Sequence, residues 1–450
     1  MKRVKLYTTF AACFLACACL IGCSSAGEKK KTEKKEPIEL IVSTPPLLYG
    51  TGGTDTAGTA GYTEFMECVA QAFLEQYDRK DVSIRVKGFD YVEEDAAIRQ
   101  AFGTPEATDV LFEGFFNMGS YIHTGNLVPL DDLIGEEIRA DISENIWKEG
   151  MYQGKTYMYP YYHLPNTLAY NAALFRECGL DAYITEKGTI ANWSLKEWED
   201  ILDTLVQKLP ESTFPMMMYA KNNQGDTHIM ILLRAFGCPF FTDGGEFCVN
   251  TPEGVEALRW IQDGVSKGWF PPAAENLELR DMMNLFQNGQ LAVNMMNPSN
   301  LPFIDSSEVD VRQVNFPSVN GMGLSTTFVT GFGVFDNGDP EKIQIGKDFV
   351  KFACENEKLQ EMSLPNIPVR TSVQTLYKDK LFMNDAYAAN EKTLVNFTDN
   401  LPNWAGVRDV FYLQMHDLLK GKMTPEEAAE AIDRECNAAV KQAQGGEAKH

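Results

Sequence analysis

Residues 108–134 read TDVLFEGFFNMGSYIHTGNLVPLDDLI, and the way they begin decides the fold class. Asp109–Phe115, DVLFEGF, is a short apolar run rich in aromatic and branched side chains, which reads as a buried strand. Two runs of the same kind lie upstream, IELIVSTPP from Ile38 and VSIRVKGF from Val82. Helical patterns fall between the strands. Leu195, Trp198, Ile201, Leu202, Leu205 and Leu209 recur at helical spacing behind Ser194, with Glu197 placed to complete a capping box. TPEGVEALRWIQDGV opens with Thr251 as N-cap and Pro252 at the first helical position, and TPEEAAEAIDREC repeats that grammar with Thr424 and Glu427. Strands alternating with helices predict an α/β protein with largely parallel sheets.

Composition narrows the function. The chain has 450 residues, with the apolar and charged fractions of a folded globular protein. It is too long for one ordinary core, which predicts two lobes. The net charge of -23 argues against a binder of nucleic acid or anionic lipid, whose surfaces carry the opposite sign. The acidity is spread along the chain and reads as a solvated surface.

At the N-terminus, Lys2, Arg3 and Lys5 precede an apolar stretch from about Phe10 to Ile21, the build of a secretory signal too short to span a bilayer. The run ends in Leu20-Ile21-Gly22-Cys23, which resembles the lipobox of bacterial lipoproteins. That resemblance implies a signal peptide over 1–22, a diacylated Cys23 as the new N-terminus, and a stable two-chain membrane anchor. Residues 23–37 are then the lipidated cysteine and a flexible, densely charged tether. The location implied is the extracytoplasmic face of the cytoplasmic membrane, in a cell lacking an outer membrane.

Six of the ten cysteines lie beyond Cys23, at 68, 178, 238, 248, 354 and 436, and none form C-x-x-C pairs. A structural zinc site is therefore not expected. Cys238 and Cys248 flank the turn of CPFFTDGGEFC, which can fold as a hairpin and bring the thiols together, so a disulfide is one reading and two unpaired thiols the other. There is no H-E-x-x-H, no G-x-S-x-G, no phosphate-binding loop and no G-x-G-x-x-G, and the five histidines are scattered. No enzyme, cofactor or metal is indicated.

Six segments in order carry a family resemblance. TDVLFEGFFNMGSYIHTGNLVPLDDLI resembles the strand, helix and G-x-L-x-x-L-D-x-L stretch of family 1 extracellular solute-binding proteins. YQGKTYMYPYYHLPNTLAYNAALFRECGLD is similar to that family's G-K-x-Y-x-x-P and Y-N-x-x-L-F segment, and WSLKEWEDILDTL to the helix after it. FQNGQLAVNMMNPSN, FVTGFGVFDNGDPEKIQIGKDFVKFACENEKLQ and MTPEEAAEAIDREC resemble its later blocks, so the likeness spans roughly residues 40–440. STPPLLYGTGGTDTAGTAGYTEF, a long Gly/Thr loop after the first strand, departs from the family. The resemblance implies the lipid-anchored sugar-binding component of an ABC importer. Its fold would be the two-lobed, periplasmic-binding-protein-like (type II) α/β fold with an interlobe ligand cleft. The lobes would be discontinuous, 38–160 plus 331–368 and 161–330 plus 369–445, and close by a hinge.

A sugar offers apolar faces and a ring of hydroxyls, so its site needs flat aromatic walls and planar polar groups on loops at strand ends. Tyr161 and Tyr162, with His163 beside them, stand at the predicted crossover, where the family often places contacts; packing in the hinge is the alternative. Glu113 and Phe116 follow the DVLF strand, though Glu113 also suits a helix start. Trp404 in LPNWAGVRDVFY, with Arg408 and Asp409 close behind it, is the leading candidate for stacking on sugar. Asn297 and Asn300 follow the strand of FQNGQLAVNMM. Asp243 is a hydroxyl acceptor or a turn residue, Tyr49 belongs to the divergent loop, and Arg370 serves the ligand or pins the hinge. Trp193, Trp198 and Trp260 read as core.

The expected protein is a monomer that binds a carbohydrate, of oligosaccharide size, and hands it to permease subunits. Other readings keep the fold with a non-sugar solute or a sensor role. A glycan-degrading enzyme, which needs a carboxylate pair at a productive separation, is not positively indicated.

Overall fold

The computed structural model describes residues 37–45, 63–89, 94–123, 125–242, 245–304, 309–395, 401 and 403–446. Cys23, most of the tether, Tyr49 and Asp243 lie outside the described residues. The framework uses strands β1 (Ile38–Thr44), β2 (Val82–Gly88), β3 (Val110–Gly114), β4 (Tyr159–Asn171), β5 (Phe214–Met216), β6 (Leu291–Met296), β7 (Val311–Val314) and β8 (Ser325–Val334). The helices that matter here are α1 (Glu64–Gln76), α2 (Glu94–Ala101), α3 (Phe115–His123), α4 (Leu195–Lys208), α5 (Asp226–Ala235), α6 (Pro252–Lys267), α7 (Pro340–Glu355), α8 (Trp404–Leu419) and α9 (Pro425–Gly446).

The three predicted strands form as read. β1 lies between β2 and β3 and runs parallel to both, with Val42 opposite Val86 on one side and Val110 on the other. Beyond β3 the sheet stops being parallel. β8 pairs antiparallel with β3, Phe332 facing Phe112, and β4 pairs antiparallel with β8. The far end of β4 is flanked by β6 and β7, both antiparallel to it, and β6 is parallel to β5. The main path is thus β2-β1-β3-β8-β4-β6-β5. The expectation of largely parallel sheets holds at the two ends and fails in the middle. There two long strands traverse the molecule in opposite directions, and antiparallel neighbours follow.

The β4–β8 ladder contains one irregularity. Thr330 faces Tyr162 but Gly331 faces Pro160, so Tyr161 is passed over in a bulge. Gly331 is required at this step, because a Cβ there would lie 2.3 Å from the Tyr159 carbonyl oxygen.

Helix starts follow the sequence grammar. Ser194 Oγ accepts the Glu197 amide and Glu197 Oε2 accepts the Ser194 amide, at 3.2 and 2.7 Å, so α4 carries the predicted capping box and buries Trp198, Ile201, Leu202 and Leu205. Thr251 Oγ1 caps α6 by accepting the Gly254 amide, and Thr424 with Glu427 repeats the box ahead of α9. Each such cap stabilises by about 1 kcal/mol. Aromatic packing fills the core. Phe112 meets Phe332 at 4.3 Å and Phe73 meets Phe349 edge-on at 5.4 Å, while Trp198, Trp260 and Trp269 form a chain at 4.8 and 5.0 Å. Trp193 packs on Phe175, so all three tryptophans read as core are core.

The predicted hairpin also forms, as Phe240–Phe241 against Phe247–Cys248, but without a disulfide. Its register sets Cys248 opposite Phe240, leaving Cys238 outside the ladder with its thiol on the Cys248 carbonyl oxygen at 3.9 Å.

Candidate functional site

Parallel strands collect loops at their carboxyl ends, which is where ligands of such sheets bind. β1, β2 and β3 end together at Thr44, Gly88 and Gly114. The chain passes from β3 straight into α3, which sets Phe116 in its first turn. α8 packs across α3. Asn403 starts α8 from a left-handed backbone (φ 55°), its Oδ1 accepting the Gly406 amide at 3.3 Å.

This start places Trp404 in an aromatic row. Its ring lies 6.0 Å from Phe116 at 18° and 6.4 Å from Phe247 at 13°, and Phe116 continues to Phe328 at 5.1 Å. Trp404 is 1% exposed, so in this conformation the row is closed on itself. One helical turn on, the Arg408 guanidinium stands 5.2 Å from the Phe116 ring centroid, a cation–π contact. Its Nε donates to Asp226 Oδ2 at 2.6 Å and its Nη2 to the Asn223 carbonyl at 3.4 Å. Asp226 is fully buried and Asn223 Nδ2 also donates to Asp409 Oδ1 at 3.0 Å. Four of the expected residues therefore converge: Phe116, Trp404, Arg408 and Asp409.

Glu113 sits at the end of β3, 5% exposed, with Oε1 accepting the Gly114 amide at 2.7 Å. Beside it is Glu94, 1% exposed, at the start of α2. Glu113 Oε2 and both Glu94 oxygens meet no donor among the described residues. Burial pushes both groups above the ordinary carboxylate range, and repulsion from Glu113 lifts Glu94 further. Sequence reasoning missed Glu94, which looks like an ordinary first-turn acid. The available signal was that it lies on the helix face of the buried Ile98, one turn along.

Other expectations are corrected. Tyr161 is fully buried, edge-on to Phe65, Phe112 and Phe332 at 5.8, 5.5 and 5.6 Å, and burial lifts its hydroxyl pKa well above normal. Tyr162 is buried with its backbone between Thr330 and Pro368. His163 bonds Thr327 Oγ1 at 3.1 Å, and burial pushes its pKa down to about 4. β4 has strands along its edges here and buried faces, so these residues are framework. Arg370 pins structure as well: its Nε donates to Asp141 Oδ2 at 2.9 Å and its Nη1 to the Glu355 carbonyl. Asn297 and Asn300 form the half-buried turn after β6, where Asn297 Oδ1 accepts the Ser299 amide. Neither asparagine joins the aromatic row.

Among the described residues no group of three or more His, Cys, Asp or Glu is placed to hold a metal ion, and no helix is long and apolar enough to cross a membrane.

Known structures share this architecture. The sugar-binding protein MalE of Xanthomonas citri superposes with a TM-score of 0.73 at 14% identity, covering 92% of this chain and all of that one. A cyclic α-maltosyl-1,6-maltose binding protein from Arthrobacter globiformis gives 0.71 at 17%, over 90% and 100%. An ABC substrate-binding protein from Listeria monocytogenes, solved with cycloalternan, gives 0.69 at 18%, over 90% and 99%. The fold is the two-domain α/β architecture of type II periplasmic binding proteins. The chain belongs to the bacterial extracellular solute-binding protein family, whose profile matches residues 69–395, more than half its length. Binding proteins of Brucella abortus (strain 2308) and Brucella suis biovar 1 (strain 1330) are 21% identical over 178 residues, 40% of this chain. The chain spans 41% of the length of these curated relatives.

Proposed function

We propose that this protein is an extracytoplasmic, lipid-anchored receptor that captures a carbohydrate between two lobes and delivers it to the permease of an ABC importer. The observation that carries the reading is the row Phe116–Trp404–Phe247 at the carboxyl ends of the parallel strands, with Arg408, Asp226 and Asp409 beside it. Parallel aromatic faces flanked by planar polar groups suit the alternating apolar and hydroxyl surfaces of a sugar. The structures of this architecture solved with cycloalternan and maltose support the same class. The lobes we assign are 38–160 with 331–368 and 161–330 with 369–445. In support, the β4–β8 bulge falls between Thr330 and Gly331 and passes over Tyr161. Opening about that step would part Phe116 from Trp404 and admit the solute. Diacylation at Cys23 would hold the receptor beside its permease and raise the local concentration of captured solute.

The test is thermal melting of the purified protein against mono- and oligosaccharides, with peptides and polyamines as controls. Solute that binds only the folded form stabilises it by roughly 2–3 kcal/mol at a hundredfold excess over Kd. The expected result is a shift with one glycan class and no product formed. A shift with peptides or polyamines alone overturns the carbohydrate assignment, and turnover of the glycan overturns the receptor role.

A further inference from the structure

The Glu94–Glu113 pair is an electrostatic anomaly that holding a neutral sugar does not explain. Two carboxyl groups lie buried close to one another, Glu94 at the start of α2 and Glu113 at the end of β3, three residues before Phe116. Three of their four oxygens have no donor among the described residues. Burying such a pair is costly unless a proton or a cation compensates it.

Among the described residues the charged neighbours do not supply that cation. Arg99, on α2, is held by Asp95 through Nε at 2.9 Å. Arg408, on α8, is neutralised by Asp226. Among the described residues Tyr121 of α3 is also close to Glu94, and burial holds it protonated. With Asp95–Arg99 and Asp226–Arg408 each paired, burial favours a proton held by the two glutamates over two bare negative charges.

We propose that Glu94 and Glu113 are specificity-determining residues that select a solute bearing a protonated amine, an amine-carrying carbohydrate, whose ammonium replaces the shared proton between the two carboxyls. The inference rests on the carbohydrate reading above and deepens it. The ammonium donates to the oxygens that now lack a donor, and the displaced proton leaves to the solvent. Phe116 and Trp404 then cover the ring that carries the nitrogen.

Calorimetry at pH 6 with glucosamine oligomers of two to four units and their N-acetylated counterparts, in which an acetyl group removes the charge on nitrogen, tests this, with the two glutamine variants separating charge from the bulk of the acetyl group. The amine forms are expected to bind at least tenfold more tightly. Runs in buffers of different ionisation enthalpy should show about one proton released. Glu94→Gln and Glu113→Gln, each first shown by melting to be folded, should each erase the preference and the proton release. Equal or tighter binding of the acetylated forms overturns the inference, as does a preference that survives both substitutions, or no binding of the amine forms. If a neutral glycan nevertheless shifts the melting point, the carbohydrate reading stands and the amine selectivity alone has failed. If no glycan does, both have failed.

Discussion

The rings of Phe116 and Trp404 lie 6.0 Å apart with their planes 18° from parallel. Phe116 belongs to the helix that follows β3 and Trp404 opens the helix near the end of the chain, so the contact ties together segments far apart in sequence. A row that gives up its own stacking to a solute loses little, because one aromatic contact of about 0.5–1.5 kcal/mol is exchanged for others of the same kind.

Phe116→Ala should therefore weaken carbohydrate affinity by at least tenfold with a modest effect on stability, since Phe116 is only partly buried. Trp404→Ala removes a 1%-exposed indole and should cost about 3–5 kcal/mol of stability as well as binding. Urea unfolding and calorimetry on the two variants separate the effects. Wild-type affinity in Phe116→Ala would remove the aromatic row from the site.

Arg408 and Asp226 make the second prediction. Arg408→Ala leaves a fully buried carboxylate with, among the described residues, only the Thr227 amide and hydroxyl as donors. Breaking a buried pair from one side costs about 3 kcal/mol, at the low end here because Arg408 keeps some exposure. Arg259→Ala, which removes exposed pairs to Glu256 and Glu426, should cost less than about 1 kcal/mol. Equal urea midpoints for the two variants would contradict this ranking.

Local chemistry was legible where one residue decides one bond. Ser194, Thr251 and Thr424 announce their helices because a hydroxyl followed three residues on by a partner has a single structural use. DVLFEGF announces a strand for the same kind of reason. Tyr161 and Tyr162 were not legible, because a tyrosine on a buried strand and a tyrosine on a binding wall look identical until both faces of the strand are known. Glu94 shows the converse. A glutamate in a first turn is nearly always solvated, and only the approach of β3 turns it into half of a buried pair. The convergence of Phe116, Trp404 and Arg408 came from the order of the family segments, and Asp226, their buried partner, carried no signal in its own neighbourhood.

The thiols of Cys238 and Cys248 give a prediction that needs no ligand. Alkylation of the denatured protein without reductant should label both, since the hairpin register faces Cys248 with Phe240 and leaves both thiols free. Mass spectrometry reads the outcome directly. A cross-linked pair of peptides containing the two cysteines would show that the register in the protein differs.

The pH dependence of stability has two opposed limbs. His228 is fully buried on α5 against Tyr219 at 4.2 Å, neither ring nitrogen has a partner among the described residues, and burial lowers its pKa from 6.5 to about 3. Below pH 6.5 the unfolded chain takes up a proton that the folded one refuses, so His228 costs stability progressively as pH falls toward 3. Glu94 acts in the other direction. Its folded pKa is raised above 4.5, so its contribution is present below that value and is lost as pH rises. His228→Phe keeps the ring and removes the acid limb, and relative to wild type it should gain about 2 kcal/mol at pH 5 compared with pH 8. Glu94→Gln should flatten the alkaline side and leave the acid limb in place. Urea midpoints from pH 4 to 9 measure both, and a His228→Phe curve parallel to wild type between pH 4 and 6.5 would mean that the buried imidazole does not stay neutral in the folded state.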